Sequence, residues 1–131
     1  MTHRLHLRRI LLAAGAALPL ASALAASEDA AMLKLASSSG CMSCHHVERG
    51  AKGPDGLPPV GPAWRDVSAK YRGQPEAEAR LTATVMSGSN PYDSHWKGQA
   101  SGLAMPPNRV AISEADARRL VHWIVGLERG R

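Results

Sequence analysis

Residues 40–45 read Gly40-Cys41-Met42-Ser43-Cys44-His45, and this short stretch decides what the chain can be. Two thiols at C-x-x-C spacing can each add across a vinyl group of one haem, giving two thioether bonds. The histidine directly after them is then placed to ligate the iron through a ring nitrogen. A C-x-x-C pair alone would also suit a redox disulfide or half a zinc site. The adjoining His45 favours one covalently attached haem c. A zinc site needs two further ligands, and the remaining histidines lack finger-like spacing. A thioredoxin-like site needs a strand-helix-strand setting, whereas the sequence on either side reads as helical.

Outward from the motif, the N-terminal side is a secretory signal. Arg4, Arg8 and Arg9 form a basic region, an apolar stretch follows from Ile10 to Leu20, and Ala23-Leu24-Ala25 is an A-x-A cleavage pattern. The apolar stretch is too short for a mature membrane-spanning helix. Residues 1–25 are therefore expected to be a cleaved leader, and residues 26–131 a single domain in the periplasm of a bacterium. Arg8-Arg9 invites a twin-arginine reading, but haem attaches to an unfolded chain after export, which favours the general secretory route.

The leader also explains the charge. The chain has 16 Lys plus Arg and 11 Asp plus Glu, and the leader holds three of the arginines and no acid, leaving a net of +2 beyond it. Two haem propionates would bring that near zero, so the basic isoelectric point is no argument for nucleic-acid binding. Phenylalanine is absent and aromatics make up 4% of the chain, so side chains alone would build a thin core. A buried haem would supply the missing apolar area. The motif uses both cysteines and leaves none for a structural disulfide.

The pattern beyond the leader is all-α. Ser27-Glu28-Asp29 reads as a helix start, a hydroxyl cap followed by acids, and Gly40 as the stop just before Cys41. Pro54, Pro58 and Pro59 forbid regular structure between Gly50 and Pro62. Ala63 to Tyr71 and Glu76 to Met86 read as helices, the second opening at Pro75. A long loop runs from Ser87 to Asn108. Ser113-Glu114-Ala115-Asp116 is a capping pattern for a last helix, whose buried stripe is Ala117, Leu120, Val121 and Ile124.

A six-coordinate haem needs a second axial donor. Met105 lies in Met105-Pro106-Pro107-Asn108, where two prolines stiffen the loop, and Met/His is a recognised axial pair. Met86 sits in a helix where it would pack or face solvent. His46 is expected to point outward and His122 to lie at the surface. His95 is the serious rival, giving a bis-histidine haem of lower potential, but no stiff frame flanks it. The metal ligands expected are His45 and Met105.

The order of these motifs resembles the short class I cytochromes c of bacteria, the small pseudomonad-type electron carriers. The resemblance covers essentially all of residues 26–131. It rests on Gly40 through His45, Val60-Gly61-Pro62-Ala63-Trp64, Gly88-Ser89, Met105-Pro106-Pro107-Asn108 and Leu120-Val121-His122-Trp123-Ile124. It implies a fold in which N- and C-terminal helices cross and loops wrap one haem. It also implies that Pro62 offers its carbonyl to the His45 ring and that Asn108 bonds near the Met105 sulfur. Trp96 would donate to a propionate, and Ala36 would admit Trp123 at the helix crossing. Two features depart from the family. The arginine that pairs with a propionate is replaced in Thr84-Val85-Met86, which leaves Lys97 or Arg80 to supply charge. The loops 48–59 and 91–104 are also long.

The function expected is one-electron transfer between redox partners, a donor dehydrogenase or reductase and an acceptor oxidase or reductase, with no catalysis by the protein itself. A second reading is the haem subunit of a periplasmic oxidoreductase such as a sulfite dehydrogenase, for which the long loops would serve a permanent interface. A third is a gas sensor or peroxidase with an open distal site.

Overall fold

The computed structural model describes residues 18–128; the basic region and most of the apolar stretch of the expected leader, and residues 129–131, lie outside them. Four helices carry the fold: α1 (Leu18–Ser38), α2 (Trp64–Tyr71), α3 (Ala77–Ser87) and α4 (Glu114–Gly126). A 3-10 turn occupies Cys41–Ser43 and another Pro54–Gly56. Among the described residues the only strand-like pairing is a single bridge between Lys97 and Ala100.

α1 does not begin at Ser27. It runs through that residue, whose hydroxyl donates back to the Leu24 carbonyl at 2.7 Å instead of capping. Alanine and leucine, the strongest helix formers, fill the preceding positions, and nothing there breaks the helix in the full-length chain. Its C-terminal end matches the expectation. Gly40 sits at φ 75°, a left-handed geometry that a side chain resists, and its N–H closes on the Ser37 carbonyl at 3.1 Å. The chain turns there and delivers Cys41 into the core.

α3 starts two residues after Pro75, with Glu76 at its cap position. α4 starts as its pattern requires: the Ser113 hydroxyl accepts from the Asp116 N–H at 3.1 Å, and Ala117, Leu120, Val121 and Ile124 are all buried. α4 is the axis of the molecule, packing against α1, α2 and α3. Where α1 meets it, Ala36 is fully buried and Trp123 is 2% exposed. The Trp123 indole N–H donates to Asp29 at 2.7 Å, and its ring stands edge-on to Trp64 with centroids 5.7 Å apart. The Ser68 hydroxyl ties α2 to the end of α4, donating to Val125 O at 2.8 Å and accepting from Glu128 N–H at 3.1 Å. Glu128 also pairs with Arg49 at 3.2 Å, and with Arg65 and Arg72 at 3.5 Å each, which anchors the segment after His45 to the same corner.

Candidate functional site

The turn after Gly40 gathers the motif. Cys44 N–H and His45 N–H both donate to Cys41 O, at 3.3 and 3.1 Å, and Cys41, Cys44 and His45 line one cleft. Cys41 is buried and Cys44 half-buried, and no disulfide joins them. Burial pushes the Cys41 thiol up from its ordinary value, against a hydrogen bond to its own backbone, and the neighbouring Cys44 raises it further.

The His45 ring is fixed on three sides. Its Nδ1–H donates to Pro62 O at 2.9 Å, so the lone pair is left on Nε2. Trp64 stacks on it with centroids 5.9 Å apart and planes 23° from parallel. Gly61 leaves room for it: a Cβ there would lie 2.7 Å from Cε1, 2.8 Å from Nδ1 and 3.0 Å from Nε2. Burial holds the imidazole below its ordinary value. The Pro62 carbonyl opposes that shift and His46 adds slightly to it. A neutral ring with a bare nitrogen is the form that binds a metal. His46 does not point outward as its position beside His45 suggests. The residue is half-buried, with Nε2 out of solvent and without a hydrogen-bond partner, and the 46–47 backbone is pinned to α2 by Trp64 N–H on His46 O and Arg65 N–H on Val47 O.

Met105 lines the same cleft from a different segment. Its N–H donates to the Ser89 hydroxyl at 2.8 Å, and its carbonyl accepts from Ser89 N–H at 2.9 Å. Gly88, at φ 82°, comes so close that a Cβ would stand 2.9 Å from Met105 O. The other candidate donors lie elsewhere. Met86 lines a separate groove with Pro75, Glu78 and Arg118. His95 is exposed and bonded through Nδ1 to the Tyr71 hydroxyl at 2.7 Å. His122 is exposed and faces Glu78 at 3.1 Å. Among the described residues no cluster of three or more His, Cys, Asp or Glu could hold a free metal ion.

Pro62 and Trp96 complete the lining expected from the sequence, while Asn108 stays outside it. The Asn108 amide lies 3.9 Å from Cys41 Sγ, and this is the sulfur contact the structure gives it in place of one to Met105. Neither Arg80 nor Lys97 reaches the cleft: Arg80 bonds Gln74 at 2.6 Å and sits 5.9 Å over the Tyr71 ring, and Lys97 is exposed. Lys70 stands over a lining residue, its ammonium 4.8 Å above the Trp96 ring and bonded to His95 O at 2.8 Å. Sequence reasoning left out Gly61, Trp64, Ser89 and Gly102, which also shape the cleft. Gly61, Trp64 and Ser89 lie within the motifs that carry the family resemblance, but nothing local marks Gly102.

The walls are otherwise apolar, with Val67, Leu81, Val85, Leu120, Val121 and Ile124 among them, and few polar groups interrupt them. Counted out to open solvent, the space is about 1060 Å³. Two thiols and a bare imidazole nitrogen from one segment, a thioether from another and apolar walls between them suit a flat macrocycle bonded through sulfur.

Known proteins agree with that fit. The cytochrome c family profile matches residues 33–128. Cytochrome c-551 of Allochromatium vinosum is 43% identical over 95 residues, covering 72% of this chain and 84% of that protein. Cytochrome c2 of Rhodocyclus tenuis is 39% identical, covering 72% of this chain and 89% of that protein. The crystal structure of Nitrosomonas europaea cytochrome c552 superposes with a TM-score of 0.57 at 34% identity, over 73% of this chain and 99% of that one. From the motif, the cleft and these likenesses together, the chain belongs to the cytochrome c family, has the class I fold and carries haem c through Cys41 and Cys44.

Proposed function

We propose that this protein is a periplasmic mono-haem carrier of single electrons between redox partners, with His45 and Met105 as the axial ligands. The observation that carries the reading is that both side chains line one cleft, with the His45 ring fixed on Pro62 O and the Met105 main chain fixed on Ser89. When bound, haem supplies the one-electron ferric/ferrous couple. The protein's share is to hold and tune. Pro62 fixes the His45 tautomer and strengthens the nitrogen as a donor. Met105 offers a neutral, soft sulfur, and the apolar walls disfavour the extra charge of ferric iron; both push the potential upward. The Asn108 amide polarises the Cys41 sulfur. Trp96 serves the propionates, and Lys70 over its ring supplies positive charge in place of the missing family arginine.

With both axial positions filled, the protein catalyses nothing itself. Leu57, Val60 and Leu103 are exposed, 57%, 44% and 81% respectively, and Val60 and Leu103 border the cleft. Apolar residues at a cofactor mouth suit a brief encounter with a redox protein. Residues 1–25 act as the export leader and 26–131 as the carrier domain.

Substitution of Met105 by alanine tests the ligand assignment. The reduced variant should bind carbon monoxide rapidly at neutral pH and show a lower potential, whereas the parent should do neither. A parent that binds carbon monoxide at once would instead be an open-site sensor or peroxidase. Size exclusion of a periplasmic extract, followed by haem absorbance, tests the free carrier. Elution with a much larger polypeptide would make this chain the electron-transfer subunit of that enzyme.

A further inference from the structure

The two long loops meet at the cleft. Ser101 N–H donates to Pro59 O at 2.8 Å and Gly102 N–H to Val60 O at 3.0 Å, and the Ser101 hydroxyl adds a bond to Pro59 O at 3.3 Å. The approach leaves no room for a side chain: a Cβ on Gly102 would lie 2.6 Å from Val60 O and 3.3 Å from Val60 Cγ1. Side-chain burial does not hold the junction, since Val60 and Leu103 stay exposed. Backbone bonds hold it.

These bonds join further ones into one path. Gly61, next to Val60, donates its N–H to Cys44 O at 2.8 Å, beside His45. Met105, three residues after Gly102, is bonded to Ser89 through both its N–H and its carbonyl. We propose that Gly102 is a positioning residue for electron transfer: its bond to Val60 closes a backbone belt that ties the His45 segment to the Met105 loop and keeps the Met105 sulfur on the iron. The inference rests on the axial assignment above. A neutral thioether is readily displaced, and the stretch from Pro91 to Ala104 has no helix to hold it. A loop tied at one end samples many open states, and a tie near Met105 removes them. Every displacement of the sulfur must then break the belt.

The test uses the haem-loaded protein and its ferric sulfur-to-iron charge-transfer absorption. The parent should show the band and Met105→Ala should lose it; a parent without it, or a variant that keeps it, would sink the axial assignment and this inference with it. Given the band, Gly102→Ala should lose it about one pH unit lower on alkaline titration. The same variant should bind added imidazole about tenfold more tightly, the scale of one lost hydrogen bond plus the displaced backbone. Unchanged midpoint and affinity would overturn the belt and leave the axial assignment standing. Should Gly102→Ala fold poorly, amide exchange on the parent decides. A protected Gly102 N–H that opens when imidazole displaces Met105 supports the belt, and exchange at the rate of an open peptide overturns it.

Discussion

Gly61 shows how much of the iron's surroundings depends on an atom that is absent. An alanine there would press its methyl to within 3.0 Å of three ring atoms of His45. The ring or the Pro62 carbonyl must then move, at a cost of about 1–3 kcal/mol for overpacking. Haem should still attach to Gly61→Ala through Cys41 and Cys44, because neither thiol is touched. Its potential should shift and a high-spin fraction should appear in the ferric spectrum. An unchanged spectrum and potential would mean the ring is not held from this side. At this scale the meeting of Cys41, Cys44, His45 and Met105 around one cleft was legible, because thioether chemistry fixes residue type and spacing in the C-x-x-C-H motif and two prolines frame Met105. Gly61 and Gly102 were not, because their role comes from segments far apart in sequence meeting face to face. His46 was misjudged for the same reason: its Nε2 is out of solvent in a segment bonded to α2, which lies well beyond it in sequence.

The helices were legible wherever their ends carry their own chemistry. Ser113 and Gly40 mark the start of α4 and the stop of α1 through bonds made within a few residues. The start of α1 was not legible, because a hydroxyl followed by acids can cap a helix or ride within one, and the alanine-rich stretch before it decides. The packing of α1 on α4 gives a prediction of its own. Ala36 has no exposed surface, and Trp123 of α4, 2% exposed, is bonded to Asp29 of α1. Substitution of Ala36 by leucine forces extra methylenes into the crossing and should cost about 1–3 kcal/mol. Calorimetry on the holoprotein should record the lowered melting temperature, with the ferric sulfur band retained, since the crossing is not part of the cleft lining. A variant melting like the parent would show that the crossing tolerates bulk.

For the whole molecule, the thin core read from the missing phenylalanines has a structural counterpart. The side chains that would complete the core instead surround the open, apolar cleft between His45 and Met105. A Cys41→Ser/Cys44→Ser chain, unable to bond haem, should therefore lose cooperative melting and near-ultraviolet dichroism while keeping part of its helix. A sharp transition in that variant would show that α4 and its partners suffice alone. The corner built on Glu128, Ser68 and three arginines lies away from this cleft and could not be read in the sequence, since its members span residues 49 to 128. Pairs so exposed contribute little each, and their use is to fix where the chain leaves His45.

Burial of Cys41 also sets a sequence of events in biogenesis. A thiol held above its ordinary value yields little thiolate at neutral pH, and thiolate is the reactive form of sulfur. Attachment through Cys41 is therefore favoured while this sulfur is still open to solvent. A chain that cannot bond haem is expected to lack cooperative melting, so thioether formation comes first and the helices complete their packing on a cofactor already bonded.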